Sequence, residues 1–329
     1  MTAGAGRARP LDVLTVGRVG VDLYPEQSGV PLHEVTSFAR SLGGTATNVA
    51  VAAARWGRRT AVLTKVGPDP FGTYVRTALA ALGVDAAYVG TSPDLLTPVV
   101  FCALDPPQDP PLVFYRLPQA PDTTITVADV PWDVIESVPL LWVTGTGVSH
   151  EPARSIQHEL LRRRARRGHV VLDLDWRPTF WPSVMDGRRE ISAMLDLVTV
   201  AVGNRDEVEV AVGTRDPQEA ATLLLERGIC LAMVKLGADG VLVATPEGRH
   251  IVPPVEVEVV CGLGAGDGFG GALAHGLLAG WEPLRIAEVA NAAGAYVAGQ
   301  LACADAMPTP EQLDGLLVSA GLAPIGPQS

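Results

Sequence analysis

One carboxylate in this chain stands where it can do chemistry. Asp267 closes the run Val260-Cys261-Gly262-Leu263-Gly264-Ala265-Gly266-Asp267, and beyond it Phe269, Leu273 and Leu277 recur every four positions as one apolar helical face. Ahead of the run, Val255-Glu256-Val257-Glu258-Val259 alternates apolar and charged residues, which predicts a half-solvated strand. The glycines therefore mark a strand-to-helix junction. There the first helical amides lack internal partners, and the positive end of the helix dipole favours an anion. Gly264 and Gly266 bracket one small residue, as close approach of backbone to phosphate requires. A carboxylate next to a phosphate cradle is a poor extra ligand, because like charges repel, but it suits a base that takes a proton from an attacking hydroxyl. A helix cap is the plainer role for the same side chain. The glycines at 268, 270, 271 and 276 would each cost a helix about 1 kcal/mol against Ala, so the helix must gain by packing closely on a neighbour or a nucleotide.

A second glycine pair opens a second helix. Gly43-Gly44-Thr45-Ala46-Thr47-Asn48 leads into Val49, Ala50, Ala53 and Ala54, and Gly57 can end the helix. The Asn48 amide can donate to and accept from sugar hydroxyls, or it can cap the helix with Thr45 or Thr47. Val13–Gly17 reads as a buried first strand with Asp22 five residues beyond, a carboxylate placed for a ligand or for a turn. Thr60–Val66 predicts a strand, 70–82 a helix and 86–90 a short strand. The second half repeats the alternation, with strands at 140–143, 170–174 and 198–202 and helices at 152–167 and 188–194, the pattern of a parallel sheet.

Such sheets bind ligands beyond the carboxyl ends of their strands. That edge would carry Thr144-Gly145-Thr146-Gly147, Asp173-Leu174-Asp175-Trp176-Arg177, Asn204 with Glu207, and Lys235-Leu236-Gly237-Ala238-Asp239-Gly240. Glu207, with Asn204 three residues earlier, could orient water on a magnesium ion or answer the dipole of its own helix, 207–212. Asn291, in the small-residue helix 283–300, could line a flat adenine pocket. Residues 24–42 could supply strands of a small lobe. From 91 to 131 prolines interrupt short apolar runs at 98–104 and 112–116, which predicts an edge hairpin folded over the main body as a lid. Arg116 ends it, and could pair with a substrate carboxylate.

With 329 residues the chain can bury a large core. Its net charge of −11 argues against a nucleic-acid partner. The basic cluster Arg162-Arg163-Arg164, Arg166, Arg167 reads as the solvated face and last turn of a helix. Four cysteines, at 102, 230, 261 and 303, form no C-x-x-C pair and suggest neither a zinc site nor a disulfide framework, which fits a reducing cytoplasm. Neither a cleavable leader nor an apolar run of membrane-spanning length is read from the sequence. Gly17-Arg18-Val19-Gly20-Val21-Asp22 does not fit G-x-G-x-x-G after the first strand, which argues against an NAD-dependent oxidoreductase.

Taken together, the chain resembles the ribokinase family of ATP-dependent sugar kinases over essentially residues 12–317. The resemblance rests on Gly43 through Asn48, on Ala54-Arg55-Trp56-Gly57, on Gly264-Ala265-Gly266-Asp267, and between them on Asn204, Glu207, Lys235, Gly237 and Gly240. It implies a ribokinase-like three-layer α/β/α domain over 11–317, with a mostly parallel central sheet. A small β lid is expected from segments near 18–42 and 91–125, and flexible tails at 1–10 and 320–329. It further implies phosphoryl transfer from ATP with Mg2+, Asp267 as base, and the amides of Ala265, Gly266 and Asp267 around the transferring group. Asp22, Gly43, Gly44 and Asn48 would hold the sugar; Asn204, Lys235, Gly237, Gly240 and Asn291 the nucleotide; and Glu207, through water, the metal. Many members carry Asp-Thr at Cys261-Gly262, a neighbourhood that in them supports a monovalent cation, so that cation is left open here. Arg18, Phe114-Tyr115-Arg116 and Cys303 through Thr309 most resemble members acting on keto-deoxy sugar acids, with Arg116 and Arg177 as carboxylate partners. A sugar- or nucleotide-binding regulator without chemistry is the alternative of another class, and the lid edges could pair two copies.

Overall fold

The computed structural model describes residues 10–27, 29–108 and 110–326. The chain begins with β1 (Val13–Val16), β2 (Gly20–Pro25), β3 (Phe38–Gly43), α1 (Thr45–Arg55), β4 (Thr60–Val66), α2 (Pro70–Ala81), β5 (Val84–Asp85) and β6 (Val89–Thr91). It continues through β7 (Val99–Cys102), β8 (Leu112–Tyr115), α3 (Trp132–Ser137), β9 (Leu140–Thr144), α4 (Ala153–Arg164), β10 (His169–Asp173), α5 (Val184–Leu195), β11 (Val200–Asn204), α6 (Arg205–Val212) and α7 (Pro217–Glu226). The remainder is β12 (Leu231–Lys235), β13 (Val241–Thr245), β14 (Gly248–Val252), α8 (Ala265–Ala279), α9 (Pro283–Ala298) and α10 (Pro310–Ser319).

A ten-stranded sheet runs β14-β13-β12-β11-β10-β9-β1-β4-β5, with β6 also on β4. The strands from β12 to β5 run parallel, and β13 and β14 turn back antiparallel at one edge. The parallel strands are buried on both faces, so they read as continuous Val- and Leu-rich runs. One face packs α3 to α7, with Leu160, Ile191, Val208 and Leu224 in its core. The other packs α1, α8, α9 and α10, with Val49, Leu273, Val289 and Leu313. Chain order leaves β1 toward β4 on one side and returns to β9 on the other. That switch point opens a crevice at the carboxyl ends of the strands. A second sheet, β3-β2-β7-β8, stands over that crevice. The lid segments therefore supply strands as the sequence predicts, and Asp22 lies within lid strand β2 rather than in a loop after β1.

Several boundaries differ. Residues 255–259 form no strand: Val255 is buried and Glu256 exposed as the alternation demands, but the hydrogen-bonded edge is the β13–β14 hairpin before Pro253-Pro254. Two consecutive prolines offer no N–H to a ladder and end the sheet there. Of the short strand expected at 86–90 only the last two residues are strand, as the start of β6; 87–88 form a turn, and β5 precedes the stretch. The helix expected over 152–167 stops at Arg164, because Ala165 and Arg166 turn left-handed at φ 50° and 59°. The helix at 188–194 starts at Val184, capped by the Ser183 hydroxyl accepting from Asp186 N–H. The C-terminal segment is pinned as far as it is described: Arg285 donates to the carbonyls of Ala323 and Pro324, and Ile325 N–H to Asp314. Residues 1–9 and 327–329 lie outside the described residues.

Of the basic cluster, Arg162, Arg163 and Arg167 are exposed at the last turn of α4 and just beyond it, as expected, whereas Arg164 and Arg166 turn inward. Arg164 is fully buried and donates to the carbonyls of Ile135, Glu136, Val138 and Pro139, so it satisfies the open end of α3. Arg166 bonds the carbonyl of Gly228, and Arg163 covers the Trp132 ring.

The α8 glycines have the close neighbours their cost demands. A Cβ on Gly271 would overlap Ala52 of α1, one on Gly270 would meet Trp142 at 2.9 Å, and one on Gly268 would meet Val297 of α9 at 2.8 Å. Gly271→Ala should therefore lower stability. Overpacking costs about 1–3 kcal/mol and outweighs the roughly 1 kcal/mol gain in helix propensity. A lower urea midpoint with unchanged slope is the expected result, and an unchanged or raised midpoint contradicts it.

Candidate active site

The contact between α1 and α8 brings the two glycine-led helix starts together. Asn48 of α1 donates from Nδ2 to Asp267 Oδ2 of α8 at 2.7 Å. Asn48 is buried, whereas Gly264 through Asp267 remain half-buried and open toward the crevice. Gly264 takes the left-handed conformation at φ 80°, which only glycine adopts without strain, and a side chain there would press on Cys303. The Asp267 amide is engaged, donating to Gly264 O at 3.0 Å. The Ala265 and Gly266 amides have no internal acceptor among the described residues, so two of the three expected donors stay free.

Asp22 reaches the same place from the lid. Its carboxylate lies so close over Gly43 that any side chain at 43 would overlap it, and Gly44, at φ 102°, makes room for the Arg18 carbonyl. That carbonyl accepts from the Thr47 hydroxyl at 3.1 Å. Burial pushes Asp22 up to about 7, with Asp267 adding to the rise and Arg18 and Arg177 opposing it. Burial likewise pushes Asp267 up to about 6, against the Asn48 hydrogen bond that holds its charged form. A carboxylate at that level is largely ionised at neutral pH and still a fair proton acceptor.

Next to it lies a group of charges from the ends of β10, β11 and β12. Lys235 Nζ stands 3.8 Å from Glu207 Oε2, and a Cβ on Gly266 would come within 3.2 Å of that ammonium. Burial raises Asp173 well above the usual carboxylate range, Lys235 opposing and Glu207 adding to the effect. The neighbouring carboxylates, Glu207 foremost, raise Lys235 despite its burial. Asn204 and Glu207 form a reciprocal cap: Asn204 Oδ1 accepts from the Asp206 and Glu207 amides, and Glu207 Oε2 accepts from Asn204 N–H at 2.6 Å. Among the described residues no three His, Cys, Asp or Glu side chains are spaced to hold a metal ion alone. The acidic pair Glu207 and Asp173 suits a magnesium ion that arrives with phosphate and water as its main ligands.

Asp175, buried and left-handed at φ 28°, accepts from the Thr146 hydroxyl at 2.6 Å and faces Arg18 at 3.7 Å and Arg177 at 3.5 Å. Arg18 was one residue of a family resemblance in the sequence; its burial beside Asp175 follows only from the fold. Arg116, expected as a carboxylate partner, is already committed: it pairs with Asp122 at 2.9 Å and lies over the Phe180 ring at 4.6 Å. Asn291 donates to the carbonyl of Pro253 at 2.9 Å, fixing the loop beside α9. Gly237 and Gly240 flank the turn between β12 and β13, both at positive φ, and a Cβ on Gly240 would overlap the Val252 carbonyl.

Three of the four cysteines, far apart in sequence, converge, and Cys230 lies exposed elsewhere. Cys102, Cys261 and Cys303 are buried in one cluster with Tyr24, whose hydroxyl donates to Cys303 Sγ at 2.8 Å. Gly262 N–H donates to Pro107 O of the β7–β8 loop at 2.7 Å, and a side chain at 262 would overlap Gln108. The Cys261-Gly262 pair thus serves packing against the lid.

The pfkB family carbohydrate kinase model matches residues 11–310. A 5-dehydro-2-deoxygluconokinase from Photobacterium profundum is 32% identical, covering 93% of this chain and 94% of that protein. One from Geobacillus thermodenitrificans is 28% identical over 93% of each. The crystal structure of a double-mutant fructokinase from Vibrio cholerae, bound to fructose, ADP and a potassium ion, aligns with a TM-score of 0.83. It is 26% identical and covers 94% of this chain and all of that one.

Proposed function

Because the chain belongs to the pfkB family of carbohydrate kinases, we propose that it phosphorylates the primary C6 hydroxyl of 5-dehydro-2-deoxy-D-gluconate with ATP. The observation that carries the reading is Asp267: a carboxylate raised to about 6, held by Asn48, at the open end of a helix with free amides. Asp267 takes the hydroxyl proton as the oxygen attacks the γ-phosphorus, the bond to the β-phosphate oxygen breaks, and ADP leaves. The Ala265 and Gly266 amides and Lys235 meet the charge that develops on the transferring group. Asp22 and Asn48, with Gly43 and Gly44 giving room, hold the acceptor hydroxyls. Asn204, Gly237, Gly240 and Asn291 border the nucleotide, and Glu207 orients water on magnesium. That ion, when bound, draws negative charge from the phosphates during transfer. A lid that covers this crevice excludes water, which would otherwise consume the γ-phosphate.

The names of the relatives support a sugar acid as acceptor, and the half-buried Arg177 suits a carboxylate. 2-Dehydro-3-deoxygluconate carries the same group and is the nearest competitor. A panel of both acids with ribose and fructose, read by ADP release, separates them; ADP release with none of them would leave a binding protein without chemistry. The same assay with and without potassium reads whether a monovalent cation activates turnover, the question that Cys261-Gly262 leaves open.

Asp267→Asn should lower turnover at least 100-fold, the general-base scale, with ATP binding nearly unchanged in calorimetry; near-native turnover would remove Asp267 from the mechanism. Wild-type kcat/KM for the acceptor should fall as pH drops through about 6, where Asp267 takes up a proton. Removing the Asn48 bond destabilises the ionised form, so Asn48→Ala should move that acid limb to higher pH. A limb that stays in place or moves down would contradict the assignment.

The outer lid face suits a second copy of the chain. Phe38, Phe101 and Tyr115 meet edge to face at 5.3 and 5.4 Å, with Val113, Tyr115 and Leu117 exposed beside them. Sedimentation of wild type as a dimer and of Tyr115→Glu as a monomer is the expected outcome; a monomeric wild type sinks it.

A further inference from the structure

We propose that Arg18, steered by Asp175, recognises the carboxylate of the acceptor and sets the preference for acidic over neutral sugars. The proposal rests on the kinase reading above for the acceptor's identity, but its geometry stands by itself. Arg18 is 8% exposed, and the only hydrogen bond of its side chain among the described residues runs from Nη2 to Thr45 Oγ1 at 3.1 Å. Its Nε is buried without a partner, although a guanidinium carries five N–H donors. Burying N–H donors without partners is unfavourable unless a ligand meets them.

Asp175 does not meet them. At 3.7 Å its Oδ2 is beyond hydrogen-bond range of Arg18, and that oxygen already accepts from Thr146 at 2.6 Å. The other oxygen faces Arg177, whose Nε is likewise buried without a partner. One carboxylate thus stands 3.7 and 3.5 Å from two guanidinium groups and hydrogen-bonds neither, so both keep donors for a further anion. Phe114 and Phe180 flank Arg18 with ring centroids 5.9 and 5.7 Å from its central carbon, so its plane is held for a bidentate partner. A neutral hydroxyl would answer the hydrogen bonds but not the charge.

The site is coupled to the reacting end. Arg18 and Arg177 both lower the proton affinity of Asp22 and Asp267. Those two carboxylates repel an acid group, so the acceptor's charged end lies toward the arginines and its far hydroxyl toward Asp267. Asp175 is a positioning residue, and its left-handed backbone places one oxygen toward each arginine.

The test is calorimetric binding of D-gluconate and its neutral isostere D-gluconamide to wild type and to Arg18→Gln, with melting temperatures taken on both proteins. Wild type should prefer gluconate at least tenfold, and Arg18→Gln should lose gluconate affinity by about 10–100-fold, the range for a charge-assisted bond, while gluconamide changes by less than threefold. Arg18→Lys, which keeps the charge without the fork, should recover part of the preference and keeps the test valid should Arg18→Gln melt early. Equal affinity for both ligands in wild type, or a preference that survives Arg18→Gln, overturns the proposal. ADP release with 5-dehydro-2-deoxygluconate is scored separately: its absence overturns the kinase reading for that sugar and leaves the binding comparison standing.

Discussion

The site depends on how closely α1 and α8 approach. Asp267 and Asn48 lie 219 positions apart in the chain, and their 2.7 Å hydrogen bond exists because Gly271 and Ala52 let the two helix backbones nearly touch. Larger residues at that crossing would separate the helix starts, and the carboxylate would lose the amide that steadies its charge. The glycine cost along α8 is thus the condition for bringing two helix openings, each preceded by glycine, to one point at the sheet's switch in strand order.

Around that point the fold keeps opposite charges close but incompletely paired. Glu207 is held by its own helix start yet faces Lys235, and Asp173 beside them is raised by burial well above its usual range. Arg18 and Arg177 share a single carboxylate. Fully paired, these groups would form a structural network of the kind Arg116 makes with Asp122. Left short of partners, they are poised for anionic ligands.

Much of this was legible in the sequence. Glycines before a helix announce an open helix start whatever surrounds them, so Gly43-Gly44 and Gly264 through Gly266 were readable, and strand-helix alternation fixed which strand ends face the crevice. Partner choice was not legible. Nothing local says that Arg116 meets a carboxylate six positions on, or that Asp175 faces Arg18 across 157, because both depend on where loops of the folded chain come to lie. The alternation at 255–259 misled for a related reason: it reports a segment wet on one side and dry on the other, and a stretch lying against α9 without ladder partners meets that description as well as a strand does. Cysteine spacing likewise says nothing about thiols contributed by the lid, the loop before α8 and the loop after α9.

The capping role of Arg164 and Arg166 bears on how ligands arrive. Only Arg164 and Arg166 turn inward onto carbonyls while Arg162, Arg163 and Arg167 stay exposed, so the run 162–167 is a small positive patch on a molecule of net charge −11. Anionic metabolites therefore approach against a repulsive far field and feel attraction only inside the cleft. Repulsion of that kind is screened beyond about 8 Å at physiological ionic strength, so dissolved salt speeds capture, the reverse of an enzyme that steers its substrates in by surface charge.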